Sequence, residues 1–257
     1  MRIQKIISSI WKQSIEEFLI YRATSLITFI LAVVFLLIEL FVGDIYFSNS
    51  ENANWTRNQY FILITFMNSA TYIYNFFFVI GHENLVEDIL EGELDYNLIR
   101  PVYSYWYSIG THLDIPSIFN LILSLGLLGY YLALENVGII GYAIMLINLI
   151  LTAFLIFLLN QLAVTLSFWV DGLTSLFGMI EDLISYASRP KQIFPMIIQQ
   201  IFTFVIPVLL ASNLPVEMIF HKHNYWLLGY FIMIDILLYY TSKLLWNKGI
   251  KHYSSAN

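Results

Sequence analysis

Residues 81–101 read GHENLVEDILEGELDYNLIRP and form the one long polar interruption in a chain otherwise built of apolar runs. Leu85, Ile89 and Leu90 recur in it at helical spacing, and acidic side chains fall on the opposite side. The segment therefore predicts an amphipathic helix, interrupted first by Gly92. Six of the chain's 18 acidic residues lie here: Glu83, Glu87, Asp88, Glu91, Glu93 and Asp95.

The character of this helix indicates what it contacts. An amphipathic helix between two membrane spans either lies on the lipid surface or docks on a soluble partner. Acidic lipid head groups repel acidic side chains, so a protein partner is the better interpretation. The pair Arg100-Pro101 ends the segment, because a proline disfavours helix in the residue before it.

Composition places the chain in the all-α integral membrane class. Hydrophobic residues make up 59% and charged residues 12%, whereas a soluble domain carries about 25% charged residues. Apolar runs of about 18 residues or more recur, each long enough to cross the bilayer core. The chain has no cysteine, which excludes disulfides and thiolate metal sites. No basic tract suggests nucleic acid.

The runs predict six transmembrane helices within one membrane domain over residues 1–257. The spans cover residues 24–47, 58–80, 115–134, 139–169, 193–211 and 226–246. An amphipathic helix over residues 2–22 is expected at the membrane interface before the first span. The polar segment over residues 81–114 is then a loop between the second and third spans.

The fifth span has an alternative. Pro195 and Pro207 interrupt the run over residues 193–211, so that run also fits a re-entrant hairpin. The fifth crossing is then residues 172–188. This version places Glu181 and Asp182 in a spanning helix, at a few kcal/mol each. Hydropathy favours the first version, and both versions put the two termini on one side.

Basic residues orient the chain. Only Arg57 and Lys222, of 12 Lys and Arg, fall outside if both termini are inside. The alternative fifth span moves two more basic residues outside. Because inner loops are enriched in Lys and Arg, both counts predict that the termini and the loop are cytoplasmic.

Few residues suggest a catalytic or nucleotide-binding site. Glu16-Glu17 with Arg22, and Phe78 with His82, partly match membrane-embedded CAAX-type proteases, but the Arg lies one residue too far along. That shift turns it by about 100° on a helix. The chain also has no Gly-x-x-x-x-Gly-Lys-Ser/Thr phosphate loop, so it cannot bind ATP in that manner.

Two acids lie inside predicted spans. Asp235 is near the middle of the last span and Glu39 is towards the outer end of the first. A charge at mid-membrane costs about 2.5–3.5 kcal/mol, so such residues often line a translocation path. The alternative for Asp235 is a buried acid hydrogen-bonded to Tyr, Asn or Ser on neighbouring helices.

Four motifs in chain order carry a resemblance to a known family. The first is Gly92-Glu93-Leu94-Asp95-x-x-Leu98-Ile99-Arg100-Pro101. The others are Ser167-Phe168-Trp169, Arg189-Pro190 with Phe194-Pro195 and Ile206-Pro207, and the tail from Leu245 to Ala256. Together they resemble the bacterial ATP-binding-cassette export permeases of the second type. The family's tail usually continues with Gly, where this chain has Asn257.

The resemblance implies a six-span permease in the bacterial cytoplasmic membrane, paired with a second copy or a related permease. A separate pair of ATPase subunits, holding ATP and Mg, drives it, and the chain itself needs no cofactor and is not an enzyme. The loop then resembles the coupling helix that docks on the ATPase. Its docking residues would be Leu85, Glu87, Asp88, Ile89, Leu90, Glu91, Gly92, Glu93, Asp95, Arg100 and Pro101.

Two other functions stay open at this point. One is an accessory or immunity protein that binds a toxin or sensor in the membrane without transporting it, and the other is the membrane protease. For a transporter, an aromatic and apolar path suits export of a hydrophobic or amphipathic substrate such as a peptide, drug or lipid-like molecule.

Overall fold

The computed structural model describes residues 2–49, 55–100, 102–170, 174–220 and 225–253. Within these ranges the chain is helical and contains no strand. The helices are α1 (Arg2–Ile20), α2 (Arg22–Asn49), α3 (Arg57–Tyr74), α4 (Ile80–Glu91), α5 (Asp95–Leu98), α6 (Ser104–Tyr107), α7 (Ile115–Leu134), α8 (Ile139–Leu166), α9 (Thr174–Ala187), α10 (Met196–Phe204), α11 (Val208–Phe220) and α12 (Tyr225–His252).

Helices α3 and α4 form one continuous rod. Thr56 starts it with a capping box: its hydroxyl accepts the Gln59 N–H at 3.2 Å, and its own N–H donates to the Gln59 side chain at 3.1 Å. A π-helical turn over Asn75–Val79 joins the two helices without a break. The second span was predicted to end at residue 80, but nothing interrupts the helix there. The first half of the loop is therefore a rigid extension of that span.

The hairpin of α7 and α8 forms where the apolar runs predict it. A tight turn joins the two helices, and Asn136 adopts the left-handed conformation in it, with φ 52°. Asn tolerates that conformation better than most residues. Helix α7 packs along α3, with the rings of Phe61 and Tyr131 5.1 Å apart. Helix α3 thus lies at the centre of the bundle and couples the loop to its neighbours.

Five helices among the described residues are long and apolar enough to cross a membrane, and a bent pair would make a sixth. That pair is α10 and α11, which meet at 93°. The run predicted as the fifth span, residues 193–211, is therefore not one continuous helix, and the bent pair forms either a broken span or a re-entrant loop. The break falls at Val205–Pro207, because Pro207 has no N–H to donate and its ring clashes with the preceding turn.

Helix α11 lies against the first half of α8 in the opposite direction. The Thr152 hydroxyl donates to the carbonyl of Ala211 at 3.2 Å, and Asn148 contacts the sulfur of Met218 at 4.0 Å. Helix α9 includes most of residues 172–188, the alternative fifth span. It also packs beside α8. The 93° bend between α10 and α11 fits both versions of the fifth crossing, a broken span over this pair or a re-entrant hairpin.

Helix α1 and the end of α12 lie at the same end of the bundle as the loop. The Leu113 N–H donates to the buried hydroxyl of Ser14 at 2.9 Å, which fixes α1 beside the start of α7. The indole N–H of Trp246 donates to the Ser104 hydroxyl at 3.3 Å, which fixes α12 to α6. Both ends of the described chain therefore surround the loop.

Candidate functional site

The loop turns sharply at Gly92. This glycine has φ 75°, a left-handed conformation that costs glycine least, and it ends α4. The N–H groups of Glu93 and Leu94 then donate back to the Asp88 carbonyl at 2.8 and 3.2 Å. These bonds satisfy a carbonyl group in the last turn of α4, so the helix ends at a defined residue rather than fraying.

A short arm beyond the turn is held against the helix. The side-chain amide of Asn97 donates to the Asp88 carboxylate at 2.9 Å, and Leu94 is fully buried beneath the arm. On the return path, the hydroxyls of Tyr105 and Ser242 are 2.6 Å apart. The loop is thus attached to the α3–α4 rod on one side and to α12 on the other.

The loop ends at Asp114, just before α7. Its N–H donates to the carbonyl of Phe76 at 3.1 Å, and its carboxylate accepts a hydrogen bond from the Ser117 hydroxyl. Burial raises the pKa of the Asp114 carboxyl above its ordinary value, and the bond from Ser117 partly offsets the rise. The start of the third span is therefore tied to the π-helical turn of the second.

The predicted apolar docking strip is not available to a partner. Leu85 is 0% exposed and Ile89 is 8% exposed, and both join the main buried cluster with Phe157 and Trp246. The amphipathic helix uses its apolar face to pack on its own chain, because that face lies directly over the bundle. Of the predicted strip only Leu90 remains exposed. The expectation that Leu85 and Ile89 fill a partner's groove is corrected accordingly.

The exposed apolar surface lies at the tip of the loop instead. Ile99 is 79% exposed and Tyr96 is 68% exposed, with Val102 and Tyr103 beside them in the chain. We call this surface the tip and define it by six exposed residues: Glu91, Glu93, Tyr96, Ile99, Val102 and Tyr103. Sequence reasoning missed its four non-acidic members, since nothing in the pattern distinguishes an exposed aromatic from a buried one.

The other predicted loop residues differ in their surroundings. Glu87 is exposed on the shaft of α4, and Asp95 is half-buried in the arm. Asp88 is occupied by Asn97 and therefore holds the loop together. Arg100 is exposed and its guanidinium lies 5.0 Å from the ring centre of Tyr107. Pro101 lies outside the described residues.

A buried polar chain lies at the base of the α3–α4 rod. His82 Nε2 lies 2.9 Å from Oε1 of Gln161, which can only accept, so Nε2 carries the proton. Nδ1 then accepts the hydroxyl proton of Tyr74 at 2.9 Å. This chain joins the rod to α8. Sequence reasoning considered His82 only as part of the protease pattern and found no signal for this role.

The protease pattern is not assembled. The carboxylate of Glu16 is 3.8 Å from Lys12, and that of Glu17 accepts a hydrogen bond from Gln13 at 3.1 Å. Neither is a partner of His82, whose two ring nitrogens are already bonded. Across the described residues, no cluster of three or more His, Asp or Glu side chains forms that is suited to hold a metal ion.

The two acids predicted for a translocation path are placed differently. Glu39 accepts a hydrogen bond from Asn68 at 2.9 Å and lines a cavity of about 540 Å³ between α2, α3, α8 and α9. Asp235 is not among the residues that line it. Asp235 is 2% exposed, and neither carboxylate oxygen has a hydrogen-bond partner in the described part of the chain. The burial expected for Asp235 is confirmed, but the expected hydrogen bond to Tyr, Asn or Ser is not present among the described residues.

A family model described as ABC-2 family transporter protein matches residues 28–257. The chain belongs to the ABC-2 transporter family. The match spans all the candidate membrane helices except the first residues of α2, and it includes the whole loop. Comparisons with curated proteins and with solved structures gave no significant match. ABC-2 membership makes this multi-pass protein a transporter membrane subunit and implies an ABC ATPase partner.

Proposed function

We propose that this ABC-2 protein is the permease subunit of an exporter, and that ATP hydrolysed by a separate pair of ATPase subunits drives it. The family match over residues 28–257 carries the proposal. The protruding loop supports it, because a permease without a phosphate loop of its own needs a surface that receives motion from a partner.

The tip is the proposed docking surface for the ATPase. It combines exposed apolar and aromatic groups (Tyr96, Ile99, Tyr103) with the acids Glu91 and Glu93. Aromatic and aliphatic anchors supply most of the binding free energy at such interfaces. The acids add orientation and specificity by meeting basic residues on the ATPase.

Motion at the tip has two direct routes into the bundle. One route is the continuous rod of α3 and α4, since a helix transmits displacement along its axis. The other is α12, through the contacts of Ser104 and Tyr105 with Trp246 and Ser242. When ATP closes the ATPase pair, both helices move together, and the spans switch access from one side of the membrane to the other.

The orientation follows from the basic residues. We place the tip, α1 and the end of α12 in the bacterial cytoplasm, where the ATPases and their ATP and Mg are found. A second copy of the chain, or a related permease, completes the transporter. The chain itself carries out no hydrolysis.

Affinity purification tests the proposal. The tagged chain is purified from its own bacterial membranes in mild detergent, and the bound proteins are identified by mass spectrometry. The proposal expects an ABC ATPase in near-equal amount, with ATP hydrolysis that vanadate inhibits. Recovery of a toxin or sensor protein in place of any ATPase would instead establish the accessory function.

A further inference from the structure

The cavity beside α3 is an acidic groove with no basic side chain in its described wall. We call it the groove; its wall contains four carboxylates and is otherwise polar or apolar. The carboxylates are Glu39, Glu83, Glu87 and Glu181. A cavity of about 540 Å³ falls within the size of small-molecule sites.

The groove runs along the α3–α4 rod. Its wall on the α3–α4 rod extends from Met67 to Glu87, which is about 30 Å of helix, and about 20 Å of that length lies within the second span. At one end Glu39 lies five residues before Asp44, which pairs with Arg57 at 2.6 Å at the end of α2 far from the loop. At the other end Glu87 lies on the shaft of the loop.

The acids bear on what the open side of the groove faces. Glu39 lies within the first span and is only partly buried, and Glu181 is exposed on α9. A charged side chain facing hydrocarbon costs about 2.5–3.5 kcal/mol or more. The open side of the groove therefore faces a water-filled passage or the second permease rather than lipid.

The remaining wall suits an apolar body attached to a positive charge. Met67, Ile156 and Ile184 supply apolar surface, and the ring of Tyr72 is available for a cation–π contact. Asn160 is 4% exposed; its amide nitrogen is used by the Ile156 carbonyl at 2.9 Å, and its oxygen accepts no bond from a described residue. That oxygen is left as an acceptor at the groove wall.

One cation lies close enough to attract Glu39, and it does not neutralise the groove. Arg189 exerts that attraction, but its guanidinium lies 5.4 Å from the ring centre of Tyr186 and does not line the cavity. Lys191 is occupied by Glu217 at 2.8 Å. Among the described residues, four carboxylates against one outlying guanidinium leave the groove negative.

We propose that the groove is the substrate path and that it selects cationic amphiphiles, meaning molecules with an apolar or aromatic body and a positive charge. This inference rests on the proposed export function, and it narrows the substrate class. Glu39 and Glu181 attract the charge, and the apolar wall holds the body.

The test measures binding to the purified permease in nanodiscs without any ATPase, so its outcome is separate from that of the docking experiment. The probe is tetraphenylphosphonium, and its control is tetraphenylborate, an anion of nearly the same shape. The variants are Glu39→Gln and Glu181→Gln. Glutamine at 39 keeps an oxygen for Asn68, which preserves the fold. Asp182→Asn is the matched control, because Asp182 neighbours Glu181 on α9 and does not line the groove.

We expect tetraphenylphosphonium to bind wild-type nanodiscs above the level of empty nanodiscs, and tetraphenylborate not to exceed its own level on empty nanodiscs. The combined Glu39→Gln and Glu181→Gln change should weaken phosphonium binding by about tenfold or more, and Asp182→Asn by less than about twofold. Equal binding of the two probes would overturn the proposal. Unchanged phosphonium binding in the combined variant would overturn it as well.

Discussion

The Asp88 carboxylate and the Asn97 side-chain amide are joined by a hydrogen bond of 2.9 Å across the turn at Gly92. This bond connects the α4 rod to the arm that presents Tyr96 and Ile99. Asp88 therefore positions the tip and does not contact the ATPase directly.

A double-mutant cycle measures this relationship. Asp88→Ala and Asn97→Ala each break the same bond, so each should weaken ATPase binding, and the double variant should be little worse than either single one. A coupling of about 0.5–1.5 kcal/mol is expected. The measurement is ATPase affinity on permease in nanodiscs. Strictly additive losses would show that the two residues act independently.

Gly81 is a second residue on which the packing of the loop depends. A Cβ there would overlap the carbonyl oxygen of Ile109, which is backbone and cannot rotate away. Gly81→Ala should therefore push α4 away from the return segment and lower thermal stability by several degrees. Gly229→Ala is the control, because nothing lies within 4 Å of its added Cβ. Equal melting temperatures for the two variants would contradict this packing.

The buried chain through His82 makes a prediction about stability. His82→Phe keeps an aromatic ring beside Phe157 but leaves the Tyr74 hydroxyl and the Gln161 oxygen without their partner. Leaving buried polar groups unsatisfied costs about 1–3 kcal/mol each. Thermal unfolding in detergent should show the loss. Adding Tyr74→Phe and Gln161→Leu should recover part of it, and no recovery would place the effect in packing.

The sequence predicted most of the long apolar helices, because apolar length is a direct property of the chain. It placed the run over residues 115–134 at the bounds of α7 and the loop between the second and third spans. It could not predict what covers the apolar face of α4. The spacing of Leu85 and Ile89 requires only that the face is covered, and this chain's own bundle covers it.

The bend between α10 and α11 and the shape of the groove depend on contacts between residues that are far apart in the sequence. Pro195 and Pro207 made an interruption of the run over residues 193–211 foreseeable. The 93° bend, however, is set by the packing of α11 on α8. Glu39 and Glu181 are 142 residues apart in the sequence, so no local pattern could bring them to one cavity. Only the packing of α2 on α3 and of α9 on α8 does so.

Replacing Asp235 should stabilise the protein, whereas most substitutions destabilise it. Its two carboxylate oxygens are buried without a partner among the described residues, which costs free energy in the folded state. Asp235→Leu should therefore raise the stability of the permease by about 1–3 kcal/mol. It should leave ATPase binding unchanged. A lower melting temperature for this variant would show that the carboxyl has a stabilising partner in the assembled transporter.

The tip gives the most direct measurement of the central claim. Tyr96→Asp with Ile99→Asp places two charges on the exposed apolar part of the tip and disturbs no buried side chain. The control is Ile139→Asp with Ile140→Asp, two exposed residues at the first turn of α8, where aspartate suits the helix start. Both variants should insert and bind tetraphenylphosphonium like the wild type. The account predicts that the ATPase no longer co-purifies with the tip variant and still co-purifies with the control; full ATPase recovery on the tip variant would contradict it.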